Sequence, residues 1–395
     1  MKRYIIQASV LGFAMLLLAG CWSRRELNEL AIAVAMGIDK VENEYQITVQ
    51  VVEPSQVASG KGGGDGRSPV TTYQANGKTE IEAIRKMTMI SPRRIYTSHL
   101  RMLVIGEEVA KAGIKNTLDF LSRGQEFRTD FNVVVTKGTR ASQILKILTP
   151  TEKIPANKMF SSLNQSEIIW GPTSATTLIE LLSDIVKQGK QPVLTGIQVI
   201  GNAQQGESQD NISSPSPPTQ IGYRGYAVFR NNKLVGWLNE KESNGYNFVV
   251  NNIKSSIVNT PCPQEGHLAF EIIHSSTELN SFLRNKKPSI KIEIRTEGNI
   301  SEVNCSNLNI TKTEVLEELE NNLEQEIKKD IEHVINISQK KMKSDIFGFG
   351  EVIHRSHLSY WEQVRDDWEK IFANLPVDIN VDLKIRRIGT VSNPL

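Results

Sequence analysis

Apolar positions in the N-terminal half follow two alternating periods, which predict strands and helices in turn. Residues 31–39 and 45–52 are rich in apolar and β-branched residues and flank a polar turn at 40–44, so they predict a hairpin. Further buried strands are predicted at Leu100–Ile105, Phe131–Thr136 and Val193–Ile200. Helical spacing is found in Thr79–Met89, Glu107–Leu121, Ala141–Leu148 and Thr176–Gly189. This alternation predicts a sheet with helices packed on it.

The C-terminal half has a different pattern. Residues 225–230 and 233–238 predict a second hairpin, turned by Asn231 and Asn232, because asparagine tolerates positive φ. Strict alternation in 290–295 and 377–385 predicts two half-buried strands. Between them, one apolar stripe predicts a long helix from about Thr311 to Ser344, opened by Thr311 and Glu314 at capping-box spacing.

The predicted fold class is therefore mixed α+β and α/β, with two or three small sheet-plus-helix domains. The chain has 395 residues, more than one small core needs. Residues 201–222 are rich in Ser, Pro and Gln, a composition that favours solvated, extended backbone, and they predict a linker. The expected domains are an N-terminal α/β region at 21–200, with one or two subdomains, and a C-terminal α+β domain at 223–395. In the latter, one long helix packs on an antiparallel-rich sheet.

The first twenty residues match a lipoprotein signal peptide. Lys2 and Arg3 precede an apolar segment that is too short to span a bilayer of about 30 Å. Leu18-Ala19-Gly20 then leads to Cys21, where small residues permit cleavage and the thiol accepts a diacylglycerol. An ordinary buried helix would need all these features by coincidence. The sequence predicts lipidation of Cys21 and a body held at the outer membrane surface.

Charge and cysteine content limit which partners and which cellular compartment are expected. Without Lys2 and Arg3 the chain has 44 basic and 44 acidic side chains, so its net charge indicates no nucleic-acid partner. No second apolar run long enough for a membrane span follows Trp22. Cys262 and Cys305 lie near the ends of predicted strands, and outside the cytoplasm they either form a disulfide or remain buried thiols.

The glycine-rich stretch from Ala58 to Pro69 predicts a loop. A phosphate-binding loop would require a Lys-Ser or Lys-Thr pair opening a helix, whereas Ser68-Pro69-Val70 leads into a strand-like segment. No nucleotide, and no other cofactor, is expected.

Metal-binding and nucleophilic motifs are weak. Glu351, His354 and His357 would share one side of a helix, but their spacing matches no known metal-ligand motif. Ser338 and Lys341 form a Ser-x-x-Lys match inside the charged end of the long helix, without the partner motifs of an acyl-serine enzyme.

Two other pairs are better explained by structure than by chemistry. Glu240 and Glu242 could be pictured as a glycosidase pair, but they are expected on a turn next to Ser243-Asn244-Gly245. Trp361 and Trp368 are seven residues apart, and together with Val364, Ile371 and Phe372 they predict a helical stripe packed into its own domain. The chain is therefore not expected to be an enzyme.

The order of these blocks resembles the Ger(x)C spore germination lipoproteins, the C subunits of nutrient germinant receptors. The matching stretches cover nearly all of the chain after residue 20. They are Cys21-Trp22 with Arg25-Glu26-Leu27, Gly37-Ile38-Asp39, Arg101–Glu108, Lys233–Leu238 with Glu240 and Glu242, Asp345–Gly350, and Trp361, Trp368 and Phe372. Ser23 departs from the pattern, since an aspartate commonly follows the Cys-Trp pair.

The resemblance implies a non-enzymatic subunit on the outer face of the spore inner membrane, acting with the integral membrane A and B subunits of the receptor. Lipidated Cys21 is the one functional residue that it carries over. The alternative from the residues alone is a solute-binding lipoprotein of a transporter, which would have two similar lobes around a cleft.

Overall fold

The computed structural model describes residues 1, 3–7, 27–58, 68–262, 265–306 and 308–389. Cys21 and most of the glycine-rich loop lie outside the described residues. Among the described residues, no helix is long and apolar enough to cross a membrane.

The first sheet has nine strands and occupies the N-terminal half and the start of the C-terminal half. Its spatial order is β3-β2-β1-β5-β6-β7-β8-β9, with β4 pairing beside β1. The strands are β1 Leu30–Val41, β2 Glu44–Val52, β3 Val70–Gly77, β4 Arg94–Tyr96, β5 Met102–Ile105, β6 Asn132–Thr136, β7 Val193–Gly201, β8 Thr219–Arg230 and β9 Lys233–Leu238.

The middle of this sheet is parallel and its margins are antiparallel. β1, β5, β6 and β7 pair in parallel, whereas β1–β2–β3 and β7–β8–β9 pair antiparallel. β5 and β6 are buried at every position, because helices cover both faces of the sheet. This explains why their sequences are continuous apolar runs rather than alternating ones.

Helices cover the two faces of the first sheet. They are α1 Pro54–Ala58, α2 Glu80–Lys86, α3 Glu107–Ala112, α4 Lys115–Arg123, α5 Ala141–Lys146, α6 Pro155–Ile169, α7 Leu178–Val186, α8 Ala203–Gly206 and α9 Asp210–Ser213. Residues 3–7 are also helical, and Leu27–Glu29 and Met87–Met89 are 3-10 turns. The helix predicted over Glu107–Leu121 is divided in two by Gly113, whose φ of 119° no helix accommodates. Helix α6 was not predicted.

The second sheet belongs to the C-terminal half and has the order β10-β11-β12-β13. Its strands are β10 Ser256–Pro261, β11 Gly266–Arg284, β12 Lys287–Cys305 and β13 Val377–Arg387. Two pairings are antiparallel, and β12 and β13 pair in parallel. The mixed fold class and the antiparallel-rich sheet with its long helix are confirmed.

The long helix is α11, Thr313–Asn336, and it packs one stripe against this sheet. The buried positions of that stripe are Leu319, Leu323, Ile327, Ile331, Val334 and Ile335. The helix ends earlier than predicted, because Ile337–Met342 is π-helical and Lys343 is left-handed. The predicted capping box is wrong: Lys312 is the N-cap residue, and the Thr311 hydroxyl bonds to Asn309 instead. The remaining C-terminal helices are α10 Glu240–Val249, α12 Phe349–Ser356, α13 Leu358–Val364 and α14 Trp368–Phe372, with a 3-10 turn at Arg365–Asp367.

Residues 201–222 are more structured than their composition predicts. Helices α8 and α9 lie here, and β8 begins at Thr219. Asn211 is fully buried, where its side chain donates to the carbonyls of Leu148 and Thr219. The segment is not a simple linker, because the first sheet continues beyond it to Leu238. The domain limits proposed from composition stay a prediction.

Candidate functional site: the junction of the two halves

Strand β8 contributes side chains to three buried hydrophobic clusters: one in the C-terminal half and one on each face of the first sheet. Ala227 and Phe229 belong to one cluster of the first sheet and Ile221 to the other, whereas Tyr226 and Val228 belong to the cluster of the C-terminal half. This division follows from the strand period of two, which sends neighbouring side chains to opposite faces. The halves are therefore joined by packing on both sides of one strand.

Asp345 is the polar centre of this junction. Its carboxylate accepts hydrogen bonds from the backbone N–H groups of Gly348 (3.0 Å), Phe349 (3.1 Å) and Gly350 (2.8 Å). The indole N–H of Trp368 is a fourth donor, at 3.0 Å. The Asp345 carboxylate thus ties the N-terminus of α12 to α14.

Two opposing influences act on this carboxylate. Burial raises the pKa of Asp345 to about 6 from an ordinary 3.8, while the N–H donors of Gly350, Trp368, Phe349 and Gly348 act to lower it. A negative charge at a helix N-terminus is also stabilised by the helix dipole. Four N–H donors of the protein surround this carboxylate, and Asp345 is only 5% exposed.

The same residues bind the segment that follows α7. The N–H of Gln191 donates to the Asp345 carbonyl at 2.8 Å, and the N–H of Gly189 donates to Glu351 Oε1 at 3.3 Å. Gly189 and Gly350 approach so closely that a Cβ on Gly350 would lie 2.6 Å from the Cα of Gly189. This contact explains why glycine occupies both positions.

Two adjoining cavities open on the junction, with volumes of about 320 and 460 Å³. Lys187, Lys190 and Val250 line both. Asp184 pairs with Lys187 at 2.9 Å and with Lys190 at 2.7 Å, so these charges satisfy one another. The cleft is lined by residues from both halves of the chain.

Asp39 performs a comparable role inside the first sheet. Its carboxylate accepts from the N–H groups of Ala141 (2.8 Å) and Ser142 (2.8 Å) at the start of α5. A Cβ on Gly106 would lie 2.4 Å from Asp39 Oδ1. The Gly37-Ile38-Asp39 block and Gly106 thus have a packing explanation.

Trp237 joins the last strand of the first sheet to its neighbours. The Lys137 ammonium lies 4.9 Å from the centre of the Trp237 ring, a cation–π contact. Burial and the nearby Arg224 lower the pKa of Lys137. A Cβ on Gly196 would lie 2.8 Å from the Trp237 ring, so the ring leaves room only for glycine at this position of β7.

The structure separates most of the candidate chemical groups. Glu240 and Glu242 lie in the first turn of α10 rather than on the predicted turn, and Glu242 bonds the N–H of Asn239 in a capping box. Ser338 and Lys341 lie in the π-helical segment, where Ser338 is buried and Lys341 exposed. Neither pair forms an acid–base or nucleophile–base arrangement.

The predicted metal candidates also have separate contacts. Glu351 accepts from Gly189, the His354 ring stacks on Trp361, and His357 ends α12. In the described part of the chain, no group of three or more His, Cys, Asp or Glu side chains is arranged to hold a metal ion.

Trp361 and Trp368 pack in the core, as predicted, but on two helices instead of one. The rings are 5.4 Å apart in an edge-to-face contact, and both are buried. Trp368 also donates to Asp345, a role that periodicity alone could not reveal. The sequence signal was the Asp345–Gly350 block itself.

Cys262 and Cys305 are joined by a disulfide, with Cα atoms 5.7 Å apart. The bond lies where β10 leaves the sheet and β12 ends, and so links the two strands that flank β11.

Comparison with known proteins covers both halves. Residues 23–199 match the family model described as the spore germination protein N-terminal domain, and residues 224–389 match the model described as spore germination B3/GerAC like, C-terminal. Similar proteins of Bacillus subtilis (strain 168) include spore germination protein KC, 34% identical over 100% of this chain and 98% of that protein. Spore germination protein B3 is 26% identical over 97% of this chain and 98% of its own length.

A solved structure has the same fold. The crystal structure of the GerBC protein matches 89% of this chain and 96% of its own, with a TM-score of 0.55 and 19% identity.

Proposed function

Because this chain belongs to the spore germination B3/GerAC-like family, we propose that it is the lipid-anchored, non-enzymatic subunit of a spore germinant receptor. The observation that carries the proposal is similarity through both halves: the two family models match residues 23–199 and 224–389, and spore germination protein KC is similar over 100% of this chain. The names of its relatives assign them to spore germination, and the proposed role places this chain in the same process.

The proposed role is to scaffold and couple the integral membrane A and B subunits. The shared strand β8 and the buried Asp345 junction support it, because they join both halves into one unit. A displacement of one half would be transmitted through β8 rather than lost in a flexible linker.

A non-enzymatic role is supported by how the candidate groups are used. Glu242 caps a helix, Glu351 fixes the segment after α7, and Asp345 holds α12 and α14. Each side chain is engaged in a contact that maintains the fold.

The alternative, a solute-binding lipoprotein of a transporter, is not supported. That class would show two similar lobes, whereas this chain has a nine-stranded mixed sheet and an unrelated four-stranded sheet. Calorimetry of the lipidated chain in detergent, titrated with amino acids and sugars, should give no heat of binding. Micromolar binding would instead favour the transporter class.

The anchoring proposal is tested by Cys21→Ala in spores. The variant should leave the membrane fraction or fail to be processed, and nutrient-triggered germination should be lost, because the body is no longer held beside its partner subunits. Ser23→Ala is the matched control, since it changes a neighbouring residue and leaves the thiol. Normal germination of a Cys21→Ala strain would contradict the role of the tether.

A further inference from the structure

An exposed apolar turn lies beside the start of the first described strand. Met89 is 77% exposed and Ile90 is 57% exposed, and Ile81 on α2 is 47% exposed. Arg93 and Arg94 follow and are exposed as well. We call this group, with Arg85, the Met89 surface.

The backbone that carries this surface is well fixed. The N–H groups of Ile90 and Ser91 donate to the Met87 carbonyl at 3.1 and 2.8 Å, and Met87 is fully buried. The Ser91 hydroxyl donates to the Arg93 carbonyl at 2.6 Å. Met89 and Ile90 therefore project from a rigid turn and not from a loose loop.

The position of the turn relates it to the anchor. Arg94 pairs with Leu30 in the parallel register of β4 and β1, so the two residues are about 5 Å apart. Eight residues separate Cys21 from Leu30, and a chain of that length spans at most about 30 Å. The short tether thus enters the body at the edge of the Met89 surface.

The charges around the surface suit a membrane. Among the residues that the structure describes, Arg85 and Arg93 have no carboxylate partner, while Arg94 pairs with Glu126 at 2.5 Å and Lys86 with Glu82 at 2.8 Å. In the described part of the chain, Glu29 is a further acidic group at the point of entry. Exposed apolar side chains flanked by arginines are typical of surfaces that enter the headgroup region of a bilayer.

We propose that the Met89 surface rests on the bilayer that holds the lipid anchor, with Met89 and Ile90 among the headgroups and Arg93 facing the lipid phosphates. The inference rests on the proposed lipidation of Cys21, which brings this part of the body to the membrane. This contact would give the subunit a fixed orientation, with the N-terminal end of β1 facing the lipid.

The test uses the full lipidated chain reconstituted in phosphatidylcholine–phosphatidylglycerol vesicles. Met89→Cys is labelled with an environment-sensitive dye, and Val186→Cys, on helix α7, is the matched control because Val186 is 78% exposed. The unsubstituted chain, exposed to the same dye, corrects for labelling of Cys262 and Cys305. The emission of the label at 89 should shift to shorter wavelength and be quenched by spin-labelled lipid, whereas the label at 186 should not respond.

The outcomes separate this inference from the anchoring proposal. A chain that fails to float with vesicles overturns the anchor and the inference together. A chain that floats, with the label at 89 as exposed to water as the label at 186, overturns the inference alone. Protection of the label at 89 only after the other receptor subunits are added would assign the surface to a protein interface, and would likewise overturn it.

A second variant tests the cause of insertion. With the dye at Ile81→Cys, Met89→Asp combined with Ile90→Asp should abolish quenching, because two carboxylates oppose entry into the headgroup region. Val186→Asp should leave it unchanged. Equal quenching in both variants would show that Met89 and Ile90 do not drive the contact.

Discussion

At the scale of single residues, Asp345 links stability to pH. Its folded pKa of about 6 exceeds the ordinary 3.8, so between these values the folded chain binds more protons than the unfolded chain. The free energy of unfolding should therefore fall as pH rises from about 4 to about 6. The shift corresponds to about 3 kcal/mol, as an order of magnitude.

Asp345→Asn is expected to remove this pH dependence and to destabilise the chain at neutral pH. The amide NH₂ would face the N–H donors of Gly350 and Trp368, and unpaired buried donors cost about 1–3 kcal/mol each. Denaturant unfolding of both proteins from pH 4 to pH 8 gives the difference. Trp368→Phe, which removes one donor and keeps a ring, should destabilise less. A constant difference between wild type and Asp345→Asn across this range would contradict the assignment.

At this scale the sequence predicts which residues matter better than it predicts what they do. The Asp345–Gly350 block was recognised through its resemblance to a family, but not the reason for its composition. One reason is the Asp345 carboxylate, which binds three successive amides. The other is the contact between Gly350 and Gly189, two residues that are 161 positions apart in the chain. Contacts between residues so far apart leave no periodic signal.

At the scale of elements, the edge strand β13 is protected by the long helix. The N–H groups of Leu383 and Ile385 donate to Glu324 and Glu320, both at 2.9 Å. These glutamates are one helical turn apart on α11 and match the alternate amides of the strand. Open strand edges pair with other chains, and the glutamates block that pairing.

Glu320→Ala combined with Glu324→Ala should lower the free energy of unfolding by about 1–3 kcal/mol and promote self-association. Glu318→Ala is the matched control, because Glu318 is exposed on the same helix. Sedimentation velocity and denaturant unfolding provide the readouts. Monomeric behaviour of the double variant at all concentrations would show that these carboxylates do not guard the edge.

The disulfide between Cys262 and Cys305 is a second prediction at this scale. It closes a loop spanning 43 positions, so Cys262→Ser combined with Cys305→Ser should cost roughly 2–4 kcal/mol. Peptide mapping without reduction checks the pairing, and denaturant unfolding checks the cost. Two free thiols in the purified chain would show that the bond does not form.

Elements were predicted well where their periodicity was strong. The 31–52 hairpin, the 225–238 hairpin and the alternating strand at 377–385 appear as β1–β2, β8–β9 and β13. Asn231 and Asn232 have φ values of 49° and 64°, as the turn prediction requires. The misses have local causes: α6 mixes polar and apolar residues on all sides, and the end of α11 changes to π-helical geometry without a proline or glycine.

At the scale of the whole molecule, the two halves should unfold together. β8 contributes side chains to the hydrophobic clusters of both halves, so loss of one cluster exposes the others. Calorimetric unfolding of the chain without its lipid should show one cooperative transition. Tyr226 is fully buried and its hydroxyl donates to Asn247, so Tyr226→Ala should lower the free energy of unfolding by about 3–5 kcal/mol while the transition stays single. Two well-separated transitions would contradict the joint unfolding of the two halves.

The whole-molecule arrangement was the least predictable level. Composition placed a boundary at 201–222, because Ser, Pro and Gln there do not suggest a core. The structure carries the first sheet across that boundary through the pairing of β7 with β8. The sequence feature that indicates a shared strand is the continuous apolar run Tyr226–Phe229, which gives β8 an apolar side chain on both faces.

The sharing of β8 also bears on how the protein is made. An exported chain emerges from its N-terminus, and β1, in the interior of the first sheet, is among the first segments outside. Its sheet stays open at β7 until residues as far as Leu238 have followed, and the second core then needs the same strand. If the chain is exported, as the proposed lipid anchor requires, more than half of it must cross the membrane before any of these hydrophobic clusters closes. A lipid-held nascent subunit would spend that interval at the membrane with an unpaired strand edge, which makes export and assembly the stage most sensitive to mutations in β8.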